Sequence, residues 1–167
     1  LLFTSCSKRN ARERTDFNAG WKFCHGDDSL AYQPGYDDTQ WRSLNLPHDW
    51  SIEGSFSNEH PTKPAGGALP AGIGWYRKSF RLPCSAKDRL FFIDFDGVYR
   101  NSEGWINGQY LGKRPSGYTS FRYELNPFLH FGDSLNVLAV RVDNRRQPHS
   151  RWYTGSGIYR DVYLIFA

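Results

Sequence analysis

The sequence is poor in the residues that mark several protein classes. Its 167 residues include no methionine, even at position 1, so we expect a segment of a longer product. No apolar run approaches the roughly 20 residues of a membrane-spanning helix, and we therefore expect no membrane span. The three cysteines, Cys6, Cys24 and Cys84, have neither metal-ligand nor redox spacing. Cys24 and Cys84 could form a disulfide in an oxidising compartment, but buried free thiols are the favoured interpretation.

Motifs that carry chemistry are also missing. The five histidines are scattered and lack the paired spacing of metal ligands. The sequence contains no Gly-x-Ser-x-Gly nucleophile elbow and no phosphate-binding loop. Asp94 and Asp96 share one face of a predicted strand, which favours a solvated side over a catalytic carboxylate pair. We therefore predict no catalytic residue, no metal site and no cofactor in this segment.

The net charge of +4 is concentrated at the N-terminus. Lys8, Arg9, Arg12 and Arg14, offset by Glu13, supply most of it within the first fourteen residues. A nucleic-acid-binding protein would concentrate its charge on a folded face instead, so we expect no nucleic-acid partner. Aromatic residues make up 17% of the chain, which excludes disorder and provides for a well-buried core.

The stretch from Leu90 to Tyr123 has the clearest strand pattern. Phe91, Ile93 and Phe95 alternate with more polar positions, which is the period of a half-buried strand. Asn107-Gly108 lies between two short apolar runs and predicts a type I′ hairpin, since both central residues of that turn need positive φ. In this hairpin Trp105 would face Tyr110, and Ile106 would face Gln109. We predict that the whole stretch forms a β-meander.

The rest of the chain predicts the same fold class. Eight or nine short strands occur at near-regular spacing, and no credible amphipathic helix is found. This pattern predicts an all-β fold, either an antiparallel β-sandwich or a jelly roll. Residues 51–74 are rich in Gly, Pro and Ala without periodicity. Their prolines and glycines, Gly74 included, exclude both a helix and a central strand, and we expect an ordered loop that packs against a neighbour. Residues 1–14 are interpreted as a tail and residues 15–167 as one domain.

The first six residues have a pattern of their own. Leu1-Leu2-Phe3-Thr4-Ser5-Cys6 resembles the end of a bacterial lipoprotein signal. The resemblance implies a lipid anchor on Cys6, a polar tether over residues 7–14, and a location in the bacterial cell envelope, in the periplasm or as a surface lipoprotein. The alternative is an N-terminal remnant without function.

Several motifs in the body of the chain identify a family. They are Leu46-Pro47-His48-Asp49-Trp50, Gly74-Trp75-Tyr76-Arg77-Lys78-Ser79-Phe80, Phe95-Asp96-Gly97-Val98, Trp105-Ile106-Asn107-Gly108, Gly117-Tyr118-Thr119-Ser120-Phe121 and Arg151-Trp152-Tyr153-Thr154-Gly155-Ser156-Gly157-Ile158-Tyr159-Arg160. Their order over about residues 15–167 resembles the N-terminal, galactose-binding-domain-like jelly roll of family 2 glycoside hydrolases. The last motif is most similar to bacterial β-galactosidases.

This resemblance implies a function for the parent protein. The parent would be an enzyme that hydrolyses terminal β-galactosides with retention, using two glutamates of a later TIM barrel that follows an immunoglobulin-like domain. Both of those domains would be partners of this segment, which would itself be inactive and would shape the rim of the sugar pocket. The same domain occurs in β-glucuronidases and β-mannosidases, so the sugar stays open. The segment could instead be an autonomous carbohydrate-binding module or a purely structural spacer.

The resemblance also points to candidate substrate-binding residues. By position, Ser150, Arg151 and Trp152 match a loop at the sugar-pocket rim, and Asn58 on the 51–74 loop matches a second rim loop more loosely. Arg151 offers five donors in a fixed fork, which suits sugar hydroxyls or a carboxylate of a neighbouring domain. Trp152 could stack on a sugar or pack on the barrel. The alternative for Arg151 is an internal structural role.

Overall fold

Two antiparallel sheets form the molecule in the computed structural model, which describes residues 12–167. The four-stranded sheet has the order β1-β10-β5-β8, and the six-stranded sheet has the order β3-β2-β4-β9-β6-β7. The strands are β1 (Glu13–Asp16), β2 (Trp21–His25), β3 (Arg42–Leu44), β4 (Ile73–Phe80), β5 (Phe91–Phe95), β6 (Ser102–Ile106), β7 (Gln109–Arg114), β8 (Phe121–Glu124), β9 (Asn136–Asp143) and β10 (Val162–Phe166). The predicted antiparallel β-sandwich is confirmed.

The main core lies between the sheets, where alternate residues of each strand face inward. Phe91, Ile93 and Phe95 of β5 are buried as the alternation predicts. From the other sheet, Trp21 and Tyr76 are completely buried and lie edge to face, with ring centroids 6.5 Å apart. Such aromatic pairs stabilise the core beyond the area that they bury.

A second, smaller core covers the outer face of the six-stranded sheet. Trp75 and Ala139 of the central strands β4 and β9 are buried beneath the chain segment 26–41. Arg77, only 2% exposed, fixes that segment: its guanidinium donates to the carbonyl oxygens of Ala31 and Gln33 and pairs with Asp38 at 2.7 Å. Strands β4 and β9 are therefore covered on both faces.

The hairpin at Asn107-Gly108 forms with the predicted register. Both residues have positive φ, +50° and +82°. Trp105 pairs with Tyr110, and Ile106 pairs with Gln109, across β6 and β7. The hairpin prediction is therefore confirmed.

The predicted β-meander is wrong. Strand β5 pairs with β10 and β8 in one sheet, whereas β6 and β7 belong to the other sheet. The chain crosses between the sheets after Phe95 and again after Arg114. The reason is that the C-terminal strand β10 occupies the place beside β5, a long-range pairing that local alternation does not reveal.

Three further local predictions need correction. Strand β1 takes in Glu13 and Arg14 from the predicted tail, and its exposed side chains gave no apolar signal. The loop expected over residues 51–74 ends at residue 72, where β4 follows. It contains one 3₁₀-helix (Pro64–Gly66), and a second 3₁₀-helix (Trp50–Glu53) extends into its first residues. Glycine does not exclude a central strand here, since Gly74 pairs with both neighbours of β4.

The described cysteines do not fit the expectation of buried thiols. Cys24 and Cys84 are both free, but Cys24 is only partly buried and Cys84 is exposed. Cys84 lies in a surface 3₁₀ turn after β4 rather than in the core. The lipid-anchor prediction for Cys6 lies outside the described residues. No helix within residues 12–167 is long and apolar enough to cross a membrane.

Candidate functional site

The loops that carry the predicted site meet at one end of the sandwich. Strand β4 begins and strand β9 ends at this end, where Ile73 pairs with Asp143. The long loop (residues 51–72) leads into β4, and the rim segment (residues 144–157) follows β9. Residues 115–120, between β7 and β8, lie at the same end, since β7 ends beside the start of β6. The sheets thus supply a rigid support for three loops.

Asp49 joins the long loop to the rim segment. Its Oδ1 caps the 3₁₀-helix Trp50–Glu53 by accepting from the Ser51 amide at 3.0 Å, and the same oxygen accepts from the Ser156 amide at 2.8 Å. Its Oδ2 accepts from the Tyr153 hydroxyl. A Cβ at Gly155 would lie 2.7 Å from Oδ2, so glycine is needed for this close approach.

A buried polar network reinforces the junction. Ser51, Asn144 and Ser156 are each at most 2% exposed. The Ser51 hydroxyl donates to the Pro70 carbonyl at 2.7 Å and lies 2.8 Å from Ser156 Oγ. Asn144 Nδ2 donates to Ser156 Oγ at 2.8 Å and to the Gly155 carbonyl at 3.1 Å. Satisfied buried networks of this kind fix one conformation. The rim segment is therefore preorganised.

An ionisable cluster supports the start of the long loop. His48 Nδ1 lies 2.7 Å from the Tyr76 hydroxyl, and its Nε2 lies 3.2 Å from Glu53 Oε1. Arg42 donates to the other Glu53 oxygen at 2.7 Å. Burial lowers the pKa of His48, while the hydrogen bond from Arg42 lowers the pKa of Glu53. At neutral pH the cluster thus combines a neutral imidazole with an Arg–Glu ion pair.

An open pocket of about 430 Å³ lies between the long loop and the rim segment. Ala65 lines one side, and residues 148–151 line the other. The Tyr153 ring packs against Gly67, where an added Cβ would lie 3.1 Å from the ring. Ser150 and Arg151 therefore border a wide, shallow depression of the surface.

Trp152 is the one exposed member of the six tryptophans, with 61% of its surface accessible. Its indole nitrogen donates to the Tyr118 hydroxyl at 3.2 Å, and Ser150 Oγ donates to its carbonyl at 2.8 Å. Tyr118 is itself 58% exposed and packs edge to face on Tyr99. These contacts orient the indole while leaving much of it open to solvent.

The predicted residues do not all come together. Ser150 and Arg151 line the pocket, whereas Trp152, the next residue in the chain, is not among its lining residues. Arg151 is exposed and makes no hydrogen bond or ion pair within residues 12–167, so the alternative of an internal structural role has no support. Asn58 is exposed on the long loop, where its carbonyl accepts from Lys63, and it does not line the pocket.

Sequence reasoning missed the residues that hold the site in place. Asp49 belongs to a family motif and Asn144 to a polar segment, and neither pattern predicts a supporting role. A local signal for Asp49 existed, since an aspartate two residues before a serine amide can cap a short helix. The bonds from Asp49 to Ser156 and Tyr153 join residues more than 100 positions apart, and no local pattern predicts them.

The exposed groups define what the site can do. An arginine fork can donate to sugar hydroxyls, and an exposed indole can stack on the apolar face of a sugar ring. Asp49 is engaged by three donors, and Glu53 is paired with Arg42. No group of three potential metal ligands occurs within residues 12–167. The arrangement is suited to binding.

Known proteins match the chain over almost its whole length. Residues 16–167 match the family described as glycosyl hydrolases family 2, sugar binding domain. The β-galactosidase BoGH2A of Bacteroides ovatus is 58% identical over 161 residues, which cover 96% of this chain and 19% of that protein. A putative β-glucuronidase of Formosa agariphila is 46% identical over 169 residues, covering 99% of this chain and 16% of that protein.

Solved structures show the same relationship. A β-glycosidase from Bacteroides vulgatus superposes with a TM-score of 0.89 at 53% identity, over 93% of this chain and 20% of that one. The chain therefore spans about a fifth of the length of these relatives. On these matches, and with the β-sandwich described above, the chain belongs to glycosyl hydrolase family 2 and corresponds to its sugar binding domain.

Proposed function

We propose that this chain is the non-catalytic N-terminal domain of a β-galactosidase. The observation that carries the proposal is the 58% identity to the β-galactosidase BoGH2A over nearly the whole chain. The parent enzyme hydrolyses terminal β-galactosides with retention, and its catalytic barrel and an immunoglobulin-like domain belong to other parts of the protein. The domain packs beside that barrel and shapes the rim of the sugar pocket.

The exposed rim segment supports this role. Arg151 has no partner within residues 12–167, so its donors are available to a sugar hydroxyl or to a carboxylate of the barrel. Trp152 presents an oriented indole to a sugar ring at the pocket edge. Ser150 fixes the Trp152 main chain by donating to its carbonyl, and Asn58 lies exposed on the long loop outside the pocket.

The test compares the full-length protein with the 167-residue segment on nitrophenyl β-galactoside and nitrophenyl β-glucuronide. We expect the full-length protein to hydrolyse the galactoside and the segment to hydrolyse neither substrate. Turnover by the segment alone would contradict the assignment of a non-catalytic domain. Turnover of the glucuronide in place of the galactoside would support the second candidate, a β-glucuronidase, which the 46% identity to a putative β-glucuronidase favours.

An autonomous carbohydrate-binding module is a further candidate, favoured by the exposure of Trp152. Such a module binds galactosides without the barrel, whereas a rim domain contributes only part of a site. Titration of the segment with lactose by calorimetry separates the two. Saturable binding that disappears in Trp152→Ala would favour the module, and no binding would favour the rim domain.

We also propose that the parent is a lipoprotein of the bacterial cell envelope, anchored through Cys6. The support is the resemblance of residues 1–6 to the end of a lipoprotein signal. Labelled palmitate should be incorporated into the full-length protein expressed in a bacterial host, and Cys6→Ala should abolish the label. Equal labelling of both proteins would refute the anchor.

A further inference from the structure

A second cleft, distinct from the pocket beside Trp152, lies at the same end of the sandwich. Its volume of about 410 Å³ falls within the range of about 300–1,000 Å³ of small-molecule sites. It lies between the ends of β7 and β9 and the crossing that follows β5. The lining residues are Arg100, Asn101, Lys113, Asp143, Arg145 and Arg146. Four of these six are cations and one is a carboxylate.

This second cleft is called the basic cleft, and the carboxylates around it are already paired. Asp143 accepts from Arg145 at 3.1 and 2.8 Å and also lies 3.5 Å from Arg141. Glu103, next to the cleft, lies 3.5 Å from Lys113 and 3.6 Å from Arg141. These pairs neutralise one side of the cleft.

Two guanidinium groups remain without a counter-charge. The side chains of Arg100 and Arg146 make no hydrogen bond or ion pair within the part of the chain that the structure describes. Both line the cleft. Two arginines without a counter-charge that line one cleft are suited to bind an anion, since the planar fork of arginine binds carboxylate or sulfate through parallel hydrogen bonds.

The backbone that carries Arg100 is fixed by its neighbours. The Arg100 carbonyl accepts from the Asp143 amide at 3.0 Å, and Asn101 Nδ2 donates to the Asp143 carbonyl at 3.0 Å. The Asn101 amide donates to the Pro115 carbonyl. The main chain of one cleft wall is thus locked to the end of β9 before any ligand binds, which lowers the entropy cost of binding.

The basic cleft adjoins the pocket beside Trp152. Arg145 and Arg146 lead directly into residues 148–151, which line that pocket. Arg100 is also close to His149. The pKa of this histidine is lowered mainly by burial and, to a smaller extent, by the positive charge of Arg100. A single chain segment therefore contributes to both surfaces, and one extended ligand could reach both.

We propose that the basic cleft binds an oxyanion carried by the oligosaccharide substrate, either a carboxylate or a sulfate ester. The inference rests on the proposed function, because the neutral terminal sugar is taken to lie at the pocket beside Trp152. The cleft is concave, and its paired carboxylates neutralise part of its positive charge. The charge that remains fits a single anionic group on a saccharide. A membrane or a nucleic acid would instead require a broad face of one charge.

The test uses the full-length protein and three β-galactosyl trisaccharides: one neutral, one with an internal uronate, and one with an internal sulfate ester. The variant is Arg100→Gln with Arg146→Gln. The matched control is Arg81→Gln with Lys87→Gln, which removes the same charge from exposed residues beyond the other end of β4, at least about 20 Å away along the strand.

Calorimetry at low salt should show that the wild type binds at least one acidic trisaccharide about tenfold tighter than the neutral one, as charge-assisted hydrogen bonds to two guanidinium groups require. The Arg100/Arg146 variant should lose this preference, and the Arg81/Lys87 control should keep it. Comparison of the uronate and the sulfate identifies the group. Circular dichroism and thermal melting of both variants establish that they are folded.

Two results would overturn the proposal: equal binding of neutral and acidic trisaccharides by the wild type, or an unchanged preference in the Arg100/Arg146 variant. Binding of phosphatidylglycerol vesicles that is lost in this variant, without any preference among the sugars, would replace the saccharide by a membrane surface. Turnover of neutral nitrophenyl β-galactoside by the wild type is measured separately. Its absence would refute the proposed β-galactosidase, while the binding comparison still decides the role of the cleft.

Discussion

The Tyr153 hydroxyl donates a hydrogen bond to the Asp49 carboxylate, joining residues 104 positions apart in the sequence. Burial, and after it the hydrogen bond to Asp49, raise the pKa of Tyr153, so the phenol stays protonated and remains a donor at physiological pH. The same carboxylate binds the amides of Ser51 and Ser156. One side chain therefore sets the position of the rim segment relative to the long loop.

We expect Asp49→Asn to destabilise the domain. The amide side chain has one acceptor oxygen instead of two, and it loses the charge that strengthens each bond. With hydrogen bonds to charged groups worth about 1.5–3 kcal/mol, the free energy of unfolding should fall by about 2 kcal/mol. Denaturant unfolding of the two proteins measures the difference. Asp88→Asn, at an exposed position, is the control, and equal losses in the two variants would contradict the role of Asp49.

Trp152→Ala should separate function from stability. Because the side chain is 61% exposed, thermal unfolding should stay near that of the wild type, within about 0.5 kcal/mol. An aromatic stacking contact is worth about 0.5–1.5 kcal/mol, so KM of the full-length protein for nitrophenyl β-galactoside should rise about 2- to 10-fold. Trp152→Phe keeps an aromatic face and should recover most of the affinity. An unchanged KM in Trp152→Ala would place the indole outside the substrate site.

The hairpin and the core could be predicted because their signals are local. Asn107-Gly108 satisfies a turn that requires positive φ at both positions, and the alternation of Phe91, Ile93 and Phe95 follows from a strand with one buried face. Such features depend on residues close in sequence. They therefore appear in the structure at the predicted positions.

Strand order and the support of the site could not be predicted in this way. Whether β5 pairs with β6 or with β10 depends on contacts across some 70 positions, and both choices satisfy the same alternation. Asp49 and Asn144 likewise act through partners that only the folded chain brings near. The candidate residues Ser150, Arg151 and Trp152 came from the family resemblance, and the structure adds the pocket that Ser150 and Arg151 line.

Arg77→Met should strongly destabilise the domain. The buried guanidinium pairs with Asp38 and binds the Ala31 and Gln33 carbonyls. Methionine leaves the Asp38 carboxylate and the Ala31 carbonyl without this donor, while the Gln33 carbonyl keeps the Tyr36 amide. Removal of one partner of a buried pair typically costs about 3–5 kcal/mol. Arg122→Met is the matched control, since it removes the arginine of a more exposed Arg–Asp pair, for which about 1 kcal/mol or less is expected. Thermal unfolding compares them, and similar losses would contradict a special role for Arg77.

The pH dependence of stability should reflect His48. Burial holds its pKa in the folded protein below the ordinary 6.5, although Glu53 acts in the opposite direction. The unfolded chain therefore takes up a proton at a higher pH than the folded chain, so stability is complete above about pH 6.5 and falls as the pH drops below it. The lowered pKa of Glu53 acts at more acidic pH, where its contribution is lost below about 4.5.

His48→Asn tests this assignment, because asparagine keeps a polar atom near the Tyr76 hydroxyl but does not titrate. The variant should be less stable at pH 7.5, and its stability should fall less than that of the wild type between about pH 7 and 5.5. Some decline should remain, since burial also lowers the pKa of His149. Melting temperatures across this range give the comparison, with His130→Asn, at an exposed position, as the control. If the curves of wild type and His48→Asn ran parallel, the titration of His48 would not be coupled to folding.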